Sequence, residues 1–343
     1  MPYLDPGYLE QYTGKNLFFI FSQPRAGSTL LQKMLSANKE IHTVGEPWIL
    51  LNGIYNLKKN GLKAEYSHKL AYIAQKEFIN SLPNAKKDYI RSLRLMYGHL
   101  YKQALFKSSK TIFLDKTPRY YFIIPEIYNL FPDAKYIFLF RNPAAVMSSF
   151  LNTWVKLPIL RIKGFEKDLL TAPQMLVSGL KIAEKKPICI KYETLVKNPE
   201  KTLQQLCDFL GVVYEPKMVR YGTQGRGSKW VMGDQEQVYK RTEPDISSLD
   251  KWEYSLKTPQ KWRFIRDYIE KLGPELLEEM GYSYNILKKK IENNTPHPVQ
   301  RIFTISLNTA VSKTAGIVYA SLSLMKLSLR SFYNRKTKKC VRE

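Results

Sequence analysis

One stretch constrains this chain more than any other, Phe18-Phe19-Ile20-Phe21-Ser22-Gln23-Pro24-Arg25-Ala26-Gly27-Ser28-Thr29-Leu30-Leu31. It begins inside a wholly apolar run, Leu17 to Phe21. A short apolar run bounded by turn residues predicts a buried strand of a parallel sheet. Pro24 and Gly27 force a loop. Leu30, Leu31, Met34 and Leu35 then recur at helical spacing, and Asn38 marks a stop. Strand, small-residue loop and helix, in that order, aim free backbone N–H groups and the positive end of a helix dipole at an anion. Gly27 lets backbone approach a ligand closely, Ser28 and Thr29 add hydroxyl donors, and Arg25 adds a permanent positive charge. The loop lacks the G-x-x-x-x-G-K-[ST] pattern, and no lysine stands beside Ser28. The expected ligand is therefore phosphate-like but not the triphosphate of a kinase.

The chain has 343 residues and a formal net charge of +24. That length suffices for one large α/β domain with helical insertions, or for two modest domains. The charge favours anionic partners: a nucleotide, an acidic acceptor, a membrane face or nucleic acid. Cys189, Cys207 and Cys340 lie far apart, with no disulfide or zinc spacing. Cys189 and Cys207 read as buried thiols, and a reducing compartment is expected. Met1-Pro2-Tyr3-Leu4-Asp5-Pro6 has neither the basic start nor the apolar core of a signal peptide. No uncharged apolar run reaches the roughly 18 residues that span a bilayer.

Ile41 to Gly45 predicts a second strand, which places Glu46 at a carboxyl end, where open α/β sheets bind ligands. Residues 52–108 carry helical periodicity and predict a helical insertion broken near Pro83, shaping an acceptor site. Thr111 to Leu114 predicts a strand followed by Asp115-Lys116-Thr117-Pro118, and Lys116 again stands in ligand position. Ala134 to Phe140 predicts another, ending in Arg141-Asn142-Pro143. Ser149 lies eight residues beyond Arg141 on the following helix, and the two suit a second phosphate. Residues 152–172 read as loop. Ile188 to Tyr192 predicts a further strand, and Glu193 to Leu210 a helix interrupted near Pro199. Residues 220–250 form a long polar loop of the kind that is functional or disordered. Gln260 to Met280 predicts an amphipathic helix bent at Gly273-Pro274. Beyond a linker at 293–298, an apolar stripe from Leu307 to Phe332 runs into a basic tail, a pattern suited either to packing on the domain or to an anionic membrane face.

Taken together, Arg25/Gly27/Ser28/Thr29, Lys116, Arg141/Ser149 and Tyr192 all follow predicted buried strands. They describe a site for a ligand with two separated anionic groups. This constellation resembles the sulfotransferases that use 3′-phosphoadenosine 5′-phosphosulfate, over about residues 16–282. Pro24-Arg25-Ala26-Gly27-Ser28-Thr29-Leu30 is similar to the family's 5′-phosphosulfate loop, with alanine at 26 where serine is common. Arg141 with Ser149 resembles its 3′-phosphate site. Ile190-Lys191-Tyr192-Glu193-Thr194-Leu195-Val196, through Pro199 to Phe209-Leu210-Gly211, resembles a landmark of the same family. The tyrosylprotein and carbohydrate branch, with many bacterial members, is the nearest pattern. Gly45-Glu46 and Asp115-Lys116-Thr117-Pro118 fit its glutamate and lysine motifs. Gly227-Ser228-Lys229 and Gln237-Val238-Tyr239-Lys240 look like its late loop that closes over the cofactor.

The resemblance implies a P-loop-like three-layer α/β/α fold with a central parallel sheet. The linker at 293–298, beyond the span of the resemblance, divides the chain into a domain at 1–292 and a basic amphipathic extension at 293–343. The resemblance also implies sulfuryl transfer from 3′-phosphoadenosine 5′-phosphosulfate, without a metal, to an acceptor hydroxyl or amine. Glycan, lipid-linked sugar, peptide tyrosine and small molecule all remain open as acceptor. Glu46 would be the general base, with His42 ranked below it, and Arg25 and Lys116 would stabilise developing charge. Arg25, Ala26, Gly27, Ser28 and Thr29 would cradle the 5′ side. Arg141, Ser149 and Tyr192 would hold the 3′-phosphate, and Ser228 and Lys240 would clamp the cofactor from the late loop. The expected setting is cytoplasmic, with peripheral contact at the inner membrane face through the C-terminal helix and no nucleic-acid partner. Two other classes compete: a P-loop-type nucleotide kinase, and a non-catalytic protein that binds membranes or nucleic acid by charge.

Overall fold

The fold was described from a computed structural model of the chain, which places residues 13–46, 50, 53–54, 58, 68–153, 162–222 and 241–296. Its centre is a five-stranded, all-parallel sheet of order β2-β3-β1-β4-β5. The strands are β1 (Leu17–Ser22), β2 (Ile41–Thr43), β3 (Ile112–Asp115), β4 (Lys135–Phe140) and β5 (Ile188–Lys191). The helices are α1 (Ser28–Ser36), α2 (His68–Ser81), α3 (Lys86–Ser108), α4 (Ile124–Leu130), α5 (Pro143–Thr153), α6 (Ala172–Lys181), α7 (Tyr192–Lys197), α8 (Pro199–Leu210), α9 (Lys251–Leu256), α10 (Pro259–Glu279) and α11 (Tyr284–Glu292).

β1 lies at the middle because its sequence permits burial on both faces. Successive side chains of a strand point to opposite sides of the sheet. Leu17, Phe19 and Phe21 enter one core with Tyr121, Ile124, Tyr136 and Phe138. Phe18 and Ile20 enter the other with Leu31, Met34, Leu139 and Leu203. Phe19 is fully buried, and its ring stacks on Phe21, Phe131 and Tyr136. Truncating it to alanine is expected to cost about 3–5 kcal/mol. A third core joins α5 to α9, α10 and α11 through Phe150, Trp252, Trp262 and Ile269.

The registers align the carboxyl ends of the strands. β1 pairs with β4 from Phe18↔Lys135 to Ser22↔Leu139, and β2 with β3 from Ile41↔Ile112 to Thr43↔Leu114. The chain leaves β1 toward β2 and leaves β4 toward β5, in opposite directions across the sheet. The crevice beside β1 is therefore the topological switch point at which such sheets bind ligands.

Several boundaries differ from the sequence reading. β2 ends at Thr43 rather than Gly45, and β3 extends through Asp115. Residues 162–171, read as loop, form a short 3-10 turn and a π-helical turn ahead of α6. The interruption read near Pro199 is present: two helices meet there, because Asn198 between them adopts φ −130° and ψ 62° and Pro199 then restarts the helix. Cys189 is exposed, and among the described residues its strand β5 lies at the edge of the sheet. Cys207 is buried as read. The expected bend in α10 occurs at Gly273, where φ is 75° and ψ 166°. The insertion forms α2 and α3, separated by a turn at Leu82 to Ala85 that holds Pro83. Cys340, Ser228, Lys240 and the C-terminal stripe lie outside the described residues.

Candidate active site

Each site residue read from the sequence that falls among the described residues sits past the carboxyl end of a strand or in the helix that follows. The loop after β1 turns on two left-handed residues, Arg25 (φ 70°) and Gly27 (φ 95°). Gly27 is the N-cap of α1 and supplies no side-chain cap, and the first turn carries no acid. Ser28 and Thr29 open that turn and are buried. An uncapped, acid-free helix start leaves its polarity for an anion. Glycine is needed at 27 for a second reason, since an added Cβ would stand 2.3 Å from Cδ2 of Tyr192.

Tyr192, the first residue of α7, is held from three sides. Its ring packs on Gly27, its hydroxyl lies 2.9 Å from Ser248 Oγ, and the Arg141 guanidinium stacks 4.3 Å from its ring centroid. Stacking of this kind suits the planar guanidinium. Arg141 Nη1 also donates to the Arg25 carbonyl at 3.0 Å. Its Nε is buried without a hydrogen-bond partner among the described residues, a donor suited to an incoming anion. Arg25 Nε donates to Ser149 Oγ at 3.0 Å, and Arg25 Nη2 to Thr153 Oγ1 at 3.3 Å. Arg25, Arg141, Ser149 and Tyr192 thus form one connected group on the loops after β1 and β4 and on α5 and α7.

Glu46 and Lys116 form a second group. They follow the neighbouring strands β2 and β3, and Lys116 Nζ lies 2.6 Å from Glu46 Oε1. The Lys116 side chain is 0% exposed and that of Glu46 is 10% exposed. Burial pushes the Lys116 pKa down, and Glu46 works against that fall. Removing one partner of such a pair leaves the other charge uncompensated. Next to Lys116, Asp115 is wholly buried and accepts hydroxyls from Tyr101 (2.7 Å), Tyr120 (3.1 Å) and Thr117 (3.3 Å). Burial pushes its pKa up to about 6 despite those bonds. His42 packs against Phe113 within the sheet, and burial followed by Lys110 lowers its pKa.

Four polar residues of this region carry no role in the motif reading. Gln32 of α1 donates to the segment ahead of Glu46. Glu193 accepts the Asn142 N–H at 2.9 Å and the Tyr282 hydroxyl at 2.8 Å, which ties the loop after β4 to the segment after α10. Gln23 donates to the Asp168 carbonyl at 2.8 Å. The Asp168 carboxylate in turn takes Arg119 and Tyr121, each at 2.7 Å. Gln23 and Glu193 lay within quoted stretches but without a role, and the contacts of all four depend on segments that only the fold brings together. Among the described residues no group of three or more His, Cys, Asp or Glu side chains could hold a metal ion. None of the described helices is long and apolar enough to cross a membrane.

A family profile, that of the sulfotransferase family, matches residues 18–216. The chain belongs to the sulfotransferase family. Curated relatives include nodulation protein NoeE of Sinorhizobium fredii, 25% identical over 294 residues that cover 78% of this chain and 66% of that protein. Another is protein-tyrosine sulfotransferase A of Caenorhabditis elegans, 28% identical over 209 residues that cover 59% of this chain and 52% of that protein. The chain thus spans between about half and two thirds of the length of these relatives. Among solved structures, the sulfotransferase domain from the curacin biosynthetic pathway aligns with a TM-score of 0.51 at 24% identity. It covers 78% of this chain and 97% of that one, and supports the three-layer sulfotransferase fold with a central parallel sheet.

Proposed function

We propose that this sulfotransferase-family chain moves a sulfuryl group from 3′-phosphoadenosine 5′-phosphosulfate to an acceptor hydroxyl or amine. The observation that carries the reading is the placement of the two groups just described. A connected cationic cradle and a buried Lys116–Glu46 pair stand on one edge of the same sheet. The family match supports the reaction class.

The donor, when bound, supplies an activated sulfuryl group and a phosphate leaving group. In this assignment Arg141, Ser149 and Tyr192 bind the 3′-phosphate, and the orphan Nε of Arg141 finds its acceptor there. Gly27, Ser28, Thr29 and the adjoining backbone at Ala26 bind the 5′ side at the start of α1. Arg25 and Lys116 place fixed positive charge where negative charge develops, which is the largest catalytic contribution in sites of this kind. Glu46 takes the acceptor proton, for which it must lie within hydrogen-bond reach of that group. Its carboxylate is held at the end of β2 by Lys116. No metal has a part in this scheme, since arginine and lysine neutralise the anion. Ser228 and Lys240 complete the assignment from the late loop.

The acceptor class spans glycans, lipid-linked sugars, peptide tyrosine and small molecules, with α2 and α3 forming its side of the site. Residues 1–292 constitute the catalytic domain. The basic extension at 293–343 gives a cytoplasmic enzyme peripheral contact with an anionic membrane.

Calorimetric titration with 3′-phosphoadenosine 5′-phosphate, beside ATP with and without magnesium, tests the donor assignment. The expected result is tight binding of the bisphosphate and none of ATP. Preference for magnesium–ATP, or binding of neither by folded protein, would overturn it.

A further inference from the structure

Gln32 is an unusual residue for the inner face of α1. It lies in the run Leu30-Leu31-Gln32-Lys33-Met34-Leu35, and its side chain is fully buried. Its Nε2 faces three oxygens: Thr43 Oγ1 at 2.7 Å, the Val44 carbonyl at 2.6 Å and the Gly45 carbonyl at 3.1 Å. These are the three residues that lead from β2 to Glu46. Thr43 Oγ1 is itself fixed by donating to the Leu114 carbonyl of β3, at 2.7 Å. Beyond Glu46, the Leu50 N–H donates to Tyr120 Oη at 3.2 Å, and that hydroxyl donates to Asp115. Buried side chains thus tie residues 43–45 directly ahead of Glu46, and Leu50 beyond it.

For folding alone, the amide is a poor choice. Its Oε1 is buried and has no hydrogen-bond partner among the described residues, an unmet acceptor that costs stability. Leucine has nearly the same volume and no polar atom. Val44 is exposed and Gly45 half-exposed, so their own burial does not hold this segment in place. What the amide provides, and leucine lacks, is a fixed path for the chain into Glu46.

We infer that Gln32 is a positioning residue: from the helix that opens at the donor loop, it clamps residues 43–45 and so fixes the Glu46 carboxylate against Lys116. The inference rests on Glu46 being the base and deepens that reading. It also links the two halves of the site, because α1 opens at its N-cap Gly27 and its inward Gln32 reaches the segment ahead of Glu46. A general base displaced by about 1 Å loses much of its effect, on the order of 10²-fold. Gln32 touches neither donor nor acceptor in this assignment, so donor affinity is not its concern.

The test is a double-mutant cycle of Gln32→Leu and Glu46→Ala on the full chain. It reads single-turnover conversion of 3′-phosphoadenosine 5′-phosphosulfate to the bisphosphate with water as acceptor. Bisphosphate affinity and melting temperature are measured alongside, and Gln32→Met is a second variant in case leucine impairs folding. Each single change is expected to slow turnover at least tenfold, and the double variant to match the slower single within twofold. Bisphosphate affinity is expected to stay within twofold of the parent. Independent losses that multiply in the double variant, a full rate in Gln32→Leu, or a loss of bisphosphate affinity would each overturn the clamp. Amide hydrogen exchange gives a reading that does not depend on turnover. Peptides covering residues 43–46 are expected to exchange at least tenfold faster in Gln32→Leu, with α1 unchanged, and unchanged exchange there would overturn the inference. Full turnover in Glu46→Ala would instead remove Glu46 as base, and exchange would still decide whether Gln32 holds the segment.

Discussion

The two halves of the site are built on different principles. At the ends of β1, β4 and β5, every group touches another: Gly27 against Tyr192, Tyr192 under Arg141, Arg141 on the Arg25 carbonyl, Arg25 on Ser149. At the ends of β2 and β3, Glu46 meets Lys116 through one buried ion pair, on a segment tied by Gln32 and Tyr120. A densely connected group resists displacement, and any break spreads through it. A charge pair on a short segment is easier to perturb alone. The first half is therefore expected to govern donor affinity as a unit, and the second to govern turnover.

Gly27→Ala should break the first half with the largest effect. The added methyl would stand 2.3 Å and 2.5 Å from two ring carbons of Tyr192, at a backbone φ of +95° that disfavours any side chain. Tyr192 must move, and Arg141 then loses its stacking surface. Bisphosphate affinity should fall at least ~100-fold, or about 2.8 kcal/mol. If calorimetry found affinity within threefold of the parent, the first half would not be interlocked.

The second half should separate from the first when Lys116 or Glu46 is changed. Glu46→Gln removes the proton acceptor while keeping its shape, so turnover should fall by about 10²–10⁴, with bisphosphate affinity within a few-fold of the parent. Lys116→Ala removes a buried charge and leaves the Glu46 carboxylate without its ammonium partner. Turnover should fall by about 10²–10³. Single-turnover kinetics beside calorimetry make the distinction, and a parallel loss of affinity in Glu46→Gln would erase it.

The same contrast explains what could be read from the sequence. β1 and β4 announce themselves because both faces are buried, which demands unbroken apolar runs such as Leu17 to Phe21 and Tyr136 to Phe140. The residues that follow those runs, Arg25 and Arg141, then fall at the carboxyl edge without further information, and Lys116 and Tyr192 follow the shorter runs of β3 and β5 in the same way. The contacts among them could not. Arg25 bonds to Ser149, 124 positions away, and Lys116 to Glu46, 70 positions away. These pairings exist only once the strand order is set. Gln32 was hidden for a related reason: a polar side chain in an amphipathic helix reads as solvent-facing, and its partners at 43–45 are fixed by α1 packing on β2. Cys189 was misread because an apolar run does not reveal that its strand lies at the edge.

The last expected effect concerns Asp115 and is read in stability, not in turnover. Its carboxyl is wholly buried, and burial raises its pKa from an ordinary 3.8 to about 6. Between those values the folded state holds a proton that the unfolded chain has released. A group raised in this way supports the fold fully below its unfolded pKa, and that support drains as pH rises toward the folded pKa. The Asp115 contribution should therefore decline from about pH 4 to about pH 6, with a limiting slope of about 1.4 kcal/mol per pH unit. Denaturant unfolding of the parent beside Asp115→Asn isolates this dependence, because asparagine keeps the shape and cannot titrate. The difference in unfolding free energy should shift toward the asparagine variant across that window and level off above it. A difference that stays constant from pH 4 to 7 would mean that Tyr101, Tyr120 and Thr117 fully offset the burial, and that the Lys116 end of the site is no more strained than the cradle beside it.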